Sequence, residues 1–225
     1  VYSRWLEETV GELRPTDPEI LRALGSLGIP VATTNYDGLL EYELGLQPMT
    51  WRTHGLVDQL MAGTFPGGGI LHLHGYFNEP QSVVLGASSY DKVLADKRAQ
   101  DTLRNLLRNR DLIFVGMGGG LSDPNFGALL EWAKDVTLPD SRYHFLLVRE
   151  DDAREMRLKL PATLRIHVLV YGREHAELAP FLRSLVEVAA APSPAPSTDA
   201  RPIPVADLRR VLFEQLRTDS DFNAF

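Results

Sequence analysis

Cysteine is absent from all 225 residues, which excludes disulfides, zinc ribbons and thiol nucleophiles. No apolar run reaches the roughly 18 residues that a membrane-spanning helix needs, and no basic-then-apolar leader is visible. Basic charge is scarce too: 23 Lys and Arg face 30 Asp and Glu, for a formal net charge of −7. That balance is opposite to the footprint required by nucleic acid or an anionic membrane surface. The expectation is a soluble, cytoplasmic protein with neither nucleic acid nor membrane among its partners. A small anionic ligand held by backbone amides remains compatible with this charge. Also missing are a G-x-S-x-G elbow, an H-E-x-x-H helix, the lysine of a phosphate-binding loop and any carboxylate cluster at metal-ligand spacing, so no metal is expected. There is no internal repeat.

What is present is a 44% hydrophobic chain, long enough for one sizeable α/β core and a small appendage. Trp5, Leu6, Val10 and Leu13 predict a helix over residues 1–13. Pro15-Thr16-Asp17-Pro18 stops it and caps a second helix, which carries Leu21, Leu24 and Leu27 and ends at Gly28. Residues 29–34 read as a strand, Asn35-Tyr36-Asp37 as a turn, and Leu39 to Tyr42 as helical. A loop rich in Gly, Thr and Pro precedes a strand over Ile70 to His74, which Gly75 terminates. A helix over about Ser88 to Asn109, strands at Leu112 to Val115, Tyr143 to Val148 and Ile166 to Val170, and a closing helix from about Glu177 complete the pattern. Residues 149–159 read as a solvated helix face.

Alternating strands and helices predict a doubly wound, mostly parallel, Rossmann-like α/β fold with helices on both faces. Ligands in such sheets bind outside the carboxyl ends of the strands. The unusual residues gather at those ends: Asn35 and Asp37, His74, the run Gly116-Met117-Gly118-Gly119-Gly120, and Tyr171-Gly172. The main domain is expected over residues 1–188, a Pro/Ala/Ser linker over 189–204, and the start of a small helical module over 205–225, where Val205, Leu208, Val211, Leu212 and Leu216 form an apolar face. Because the chain opens on Val1 and closes on Phe225 inside an apolar helical pattern, it is expected to be a fragment of a longer protein.

Thr33-Thr34-Asn35-Tyr36-Asp37, then His74-Gly75, then Gly116 with Ser122-Asp123-Pro124-Asn125-Phe126, and finally Tyr171-Gly172-Arg173-Glu174-His175, resemble the ordered signatures of bacterial sirtuin-like domains. The resemblance spans about residues 16–186. It implies NAD as substrate, with Asn35 positioning the attacking water, Asp37 contacting the carboxamide and His74 acting as general base on the ribose hydroxyls. It also places Thr33 and Thr34 in the nicotinamide pocket, and Gly116, Met117, Gly118, Ser122, Asp123, Tyr171 and Gly172 around the rest of the dinucleotide. The chemistry is consistent: cleaving the nicotinamide to ribose bond develops positive charge that nearby oxygen dipoles stabilise, and an imidazole takes up a proton at neutral pH.

Plainer readings stand beside these. Asn35 and Asp37 are suited to a turn and a helix cap, Thr33 and Thr34 to strand and turn positions, and Gly116 to Gly120 to a glycine turn capped by Ser122 or Asp123. His54 and His72 rival His74, although His54 lacks a preceding strand and His72 is expected inside one. His144, His167 and His175 are expected to pack or to face solvent.

Sirtuin-like domains usually begin with a strand and a G-A-G-x-S-like loop, which this chain lacks, so that part is expected upstream of Val1, the alternative being a version that has lost part of its cofactor site. Protein-deacylating sirtuins also carry a four-cysteine zinc module, impossible here. The resemblance therefore implies an NAD glycohydrolase of bacterial antiviral defence or cell suicide, active in the intact protein. The alternatives are a non-catalytic nucleotide-sensing or adaptor module and, third, an NAD-dependent deacylase. A homo-oligomer, and a protein partner bound through the C-terminal helical tail, stay open.

Overall fold

The computed structural model describes residues 2–65, 67–85, 96–97, 101, 106, 109–117, 143–160, 165–190, 208, 210–212 and 214–215. The chain divides into two compact units, Val1–Arg22 with Ile29–Leu106, and Ala23–Gly28 with Leu107–Phe225. The first helix is shorter than its apolar spacing suggests: α1 covers Tyr2–Leu6 and widens into a π-helical turn over Glu7–Gly11. The turn ends at Gly11, where a β-carbon would lie 2.6 Å from the Phe77 ring. Helix α2 (Glu19–Ser26) starts as expected behind Asp17, whose Oδ1 accepts the Glu19 N–H at 3.0 Å.

In the first unit, β1 (Val31–Thr33), α3 (Leu39–Leu44), β2 (Gln47–Thr50), α4 (His54–Ala62) and β3 (Gly69–His72) follow in turn. Both strand pairs are parallel and the sheet order is β1-β3-β2, with Val31 level with Ile70 and Thr33 level with His72. Strand β2 and helix α4 stand where the sequence suggested only a loop. Pro48 carries no N–H for a ladder, which hides a strand from pattern reading, yet an outer strand tolerates it. The buried Met49 and Thr50 hold β2 in place.

Strand β3 also corrects an expectation, because it ends at His72 and not at His74. Leu73 N–H still reaches the Thr33 carbonyl at 2.8 Å, and the chain then turns through Gly75. Gly75 has φ +91, and a β-carbon there would lie 2.3 Å from the Ser82 carbonyl. Only glycine fits so close an approach in the left-handed region.

In the second unit, β4 (Ile113–Phe114), β5 (His144–Arg149) and β6 (Ile166–Gly172) form a parallel sheet in the order β4-β5-β6. Phe145, Leu146, Leu147 and Val148 are all buried, the continuous apolar run expected of a central parallel strand. Helix α5 (Glu150–Lys159) packs on β5 and β6 through Ala153 and Met156 while its charged residues largely face out. After a 3₁₀ turn at His175–Glu177, α6 (Leu178–Ala190) buries Leu178, Leu182, Leu185 and Ala189 at helical spacing. Pro180 falls in its first turn, where a missing N–H costs nothing.

These two all-parallel α/β units bear out the expected doubly wound, Rossmann-like fold class. Most of the helix expected over 88–109, the segment Gly118 to Pro124 and most of the linker lie outside the described residues. Of the expected tail, Leu208, Val211 and Leu212 are helical and buried. Among the described residues, no helix is long and apolar enough to cross a membrane.

Two predictions follow from this packing. Gly75→Ala should cost about 2–4 kcal/mol of unfolding free energy in chemical denaturation, since it combines backbone strain with overlap on Ser82. His144, where β5 begins, is 4% exposed and its Nδ1 accepts the Leu112 N–H at 3.3 Å. Burial lowers its pKa to about 4, with Asp111 opposing the shift. The unfolded chain takes up this proton first as the pH falls below the ordinary value near 6.5. Stability is therefore full above that value and drops by about 3 kcal/mol as the pH approaches 4. Urea midpoints recorded against pH should show this slope in the native protein and a weaker one in His144→Leu.

Candidate functional site

The first unit assembles its rim from the residues that follow β1 and β3. Parallel pairing sets Thr33 beside His72, so the turn 34–37 and the turn 73–75 leave the sheet side by side. Each turn is fixed mainly through its backbone. Asn35 N–H donates to Thr33 Oγ1 at 3.1 Å, and Phe77 N–H donates to the Tyr36 carbonyl at 2.9 Å. The Asp37 carboxylate accepts the Leu39 N–H at 3.1 Å and opens α3. Thus Asp37 performs the turn role, the N-cap position of α3 being Gly38, while Asn35 leaves its side chain exposed. Tyr36 spans to the far side of the second turn, its hydroxyl donating to the Val84 carbonyl at 2.6 Å.

His74 is 5% exposed, and its carbonyl accepts the Val84 N–H at 2.8 Å. His72 is fully buried and touches the Asn35 segment directly, its Nδ1 lying 2.9 Å from the Asn35 carbonyl oxygen. On the other side, His72 Nε2 lies 2.6 Å from Glu41 Oε1 on α3. The Tyr76 ring covers this imidazole at 4.6 Å between centroids. Burial, then the charges of Glu41 and Asp37, raise the pKa of the Tyr76 phenol. Glu41 and Tyr76 escaped the motif reading, and His72 entered it only as a rival to His74 placed inside the strand. Thr33 and Thr34 sit half-buried at the base of the first turn.

The second unit has its own rim. Gly116 follows β4 at φ +74, and no described residue lies within 4 Å of where its β-carbon would stand. Met117 is half-buried beside it. Tyr171 and Gly172 close β6, across β5 from Gly116. Burial is the main cause that raises the Tyr171 pKa; the Arg149 guanidinium opposes it, itself forked onto Asp152 at 3.0 and 3.3 Å. The amides that follow Gly172 are already engaged: Glu177 Oε2 accepts from Arg173 N–H at 2.6 Å and Glu174 N–H at 2.8 Å. Those two donors hold the exposed Glu177 carboxyl below the usual carboxylate range. His144 packs 6.1 Å from the Phe114 ring, His167 stacks 5.4 Å from Tyr143, and His175 is exposed. The expected cofactor residues Gly118, Ser122 and Asp123 lie outside the described residues. No group of three or more His, Asp or Glu that could hold a metal occurs among the described residues.

Parallel strands, crossover helices and polar side chains gathered where the strands end define an α/β domain of the class that takes small ligands at its carboxyl rim. Within that class the family is specific. The family model of the SIR2-like domain matches residues 30–169, more than half of the chain, and the chain belongs to that family. The matched span opens one residue before β1 and closes inside β6, so it contains Asn35, Asp37, His74 and Gly116 and stops short of Tyr171. SIR2-like domains bind NAD. At the first unit's rim the residues present are compatible with a polar ligand: an exposed amide at Asn35, a half-buried carboxylate at Asp37 and a buried imidazole at His74.

Because the Asn35 turn is held by main-chain bonds, its side chain is dispensable for folding. Asn35→Ala should change unfolding free energy by less than about 0.5 kcal/mol. Tyr36→Phe, which removes the bond to Val84, should cost about 1 kcal/mol. Paired denaturation curves would check both.

Proposed function

We propose that the intact protein hydrolyses the bond between nicotinamide and ribose in NAD, releasing nicotinamide and ADP-ribose, as the cytoplasmic effector of a bacterial defence or cell-suicide system. Membership of the SIR2-like family supports NAD as the ligand. The single observation that carries the chemistry is the adjacency of the β1 and β3 carboxyl ends, which sets the Asn35 and Asp37 turn beside the turn holding His74. The bound dinucleotide supplies the glycosidic bond to be broken. His74 takes a proton from a ribose hydroxyl, Asn35 orients the water, and Asp37 meets the carboxamide. Removing a general base of this kind costs roughly 10²- to 10⁴-fold in rate.

A second reading is a nucleotide-sensing module that binds without turnover, and the burial of His74 at 5% exposure favours it. Incubating the intact protein with NAD separates the two. Nicotinamide release is expected, with His74→Ala slower by at least about 100-fold. Equal rates in native protein and variant would end the hydrolase reading, and tight ADP-ribose binding without release would establish the sensor.

A further inference from the structure

We propose that His72 and Glu41 form a proton-sharing brace that positions Asn35, and that His72 is a positioning residue, not a second base. The brace itself stands on geometry; its role in turnover rests on the glycohydrolase reading.

A backbone carbonyl only accepts hydrogen bonds, so the His72 nitrogen 2.9 Å from the Asn35 oxygen, Nδ1, carries a hydrogen. The other nitrogen faces Glu41 Oε1 at 2.6 Å. A bare Nε2 and an ionised carboxylate are both acceptors, and two acceptors do not sit that close without a proton between them. The bridge therefore holds one proton beyond those of a neutral ring and an ionised carboxylate. With both nitrogens engaged and the ring fully buried, His72 has no lone pair to offer a ribose hydroxyl.

The brace joins three segments that must keep register at the rim. β3 contributes His72, α3 contributes Glu41, and the turn after β1 contributes the Asn35 carbonyl. Asn35 N–H is tied to Thr33 Oγ1, so the peptide groups on both sides of this residue are fixed while its side chain stays exposed. That is the arrangement a water-orienting amide needs: an anchored backbone under a side chain left for the ligand. The Tyr76 ring packs against the histidine, 4.6 Å between centroids.

Glu41→Gln and Glu41→Leu discriminate. A glutamine amide donates to Nε2 of a ring protonated only at Nδ1, so it keeps the brace without the extra proton, whereas leucine removes it. In the intact protein, Glu41→Gln should hold kcat within about threefold of native, and Glu41→Leu should lower kcat at least about tenfold with KM for NAD nearly unchanged. Proton spectra of native protein with nitrogen-labelled histidine should show a strongly low-field bridging proton at His72, lost in Glu41→Gln. A native spectrum without that proton, or equal kcat in the two variants, overturns the brace. Should native protein release no nicotinamide, the hydrolase reading falls, and the spectrum still decides the brace. If Glu41→Leu does not fold, the spectrum and Glu41→Gln decide it.

Discussion

Parallel pairing of Val31–Thr33 with Ile70–His72 is the constraint on which the rest of the first unit depends. Two strands running the same way end at the same edge, so whatever follows each is delivered to one place. Asn35 and Asp37 follow one strand and His74 the other. Shifting the register by a single residue would turn His72 to the opposite face and separate it from both Asn35 and Glu41. The chemistry of the rim is thus a consequence of sheet register.

Around that pairing, main chain and side chain divide the labour. The turn 33–37 is held by its own N–H and carbonyl groups and by the Asp37 carboxylate on Leu39 N–H, which leaves the Asn35 side chain exposed. Burial works in the opposite direction for His72, Glu41 and Tyr76, which lock the turn from beneath. A buried histidine and carboxylate justify their desolvation only while both are present, since losing one partner of such a pair leaves the other stranded at a cost of about 3–5 kcal/mol. Gly75 is the backbone counterpart: its left-handed conformation and close approach to Ser82 let the chain turn sharply just after β3.

The second unit shows the same architecture with another emphasis. At Gly116 no described residue crowds the position of a β-carbon, which suits close backbone approach by a ligand. The turn after Gly172, by contrast, already satisfies two amides with Glu177. The SIR2-like match ends at residue 169, just before that turn. Gly116 and the Gly172 turn therefore offer a ligand different things, though both read in the sequence as glycine-bearing strand ends.

Much of the fold was legible because strand and helix periodicities are local. The apolar run at 145–148, the helical spacing of Leu178, Leu182 and Leu185, and the Asp17 cap each announce themselves within a few residues, as do the ordered motifs at 33–37 and 74–75. Strand β2 was hidden because Pro48 cannot show a ladder pattern, and His72 was assigned to a strand interior because nothing local marks where β3 stops. The pairing of His72 with Asn35 and Glu41 was decided by tertiary structure alone. Those residues lie 37 and 31 positions away in the chain, and a hydrogen bond between them exists only once β1, α3 and β3 are packed. Composition and spacing determined which chemical groups this protein owns; the register of its sheet determined which of them meet.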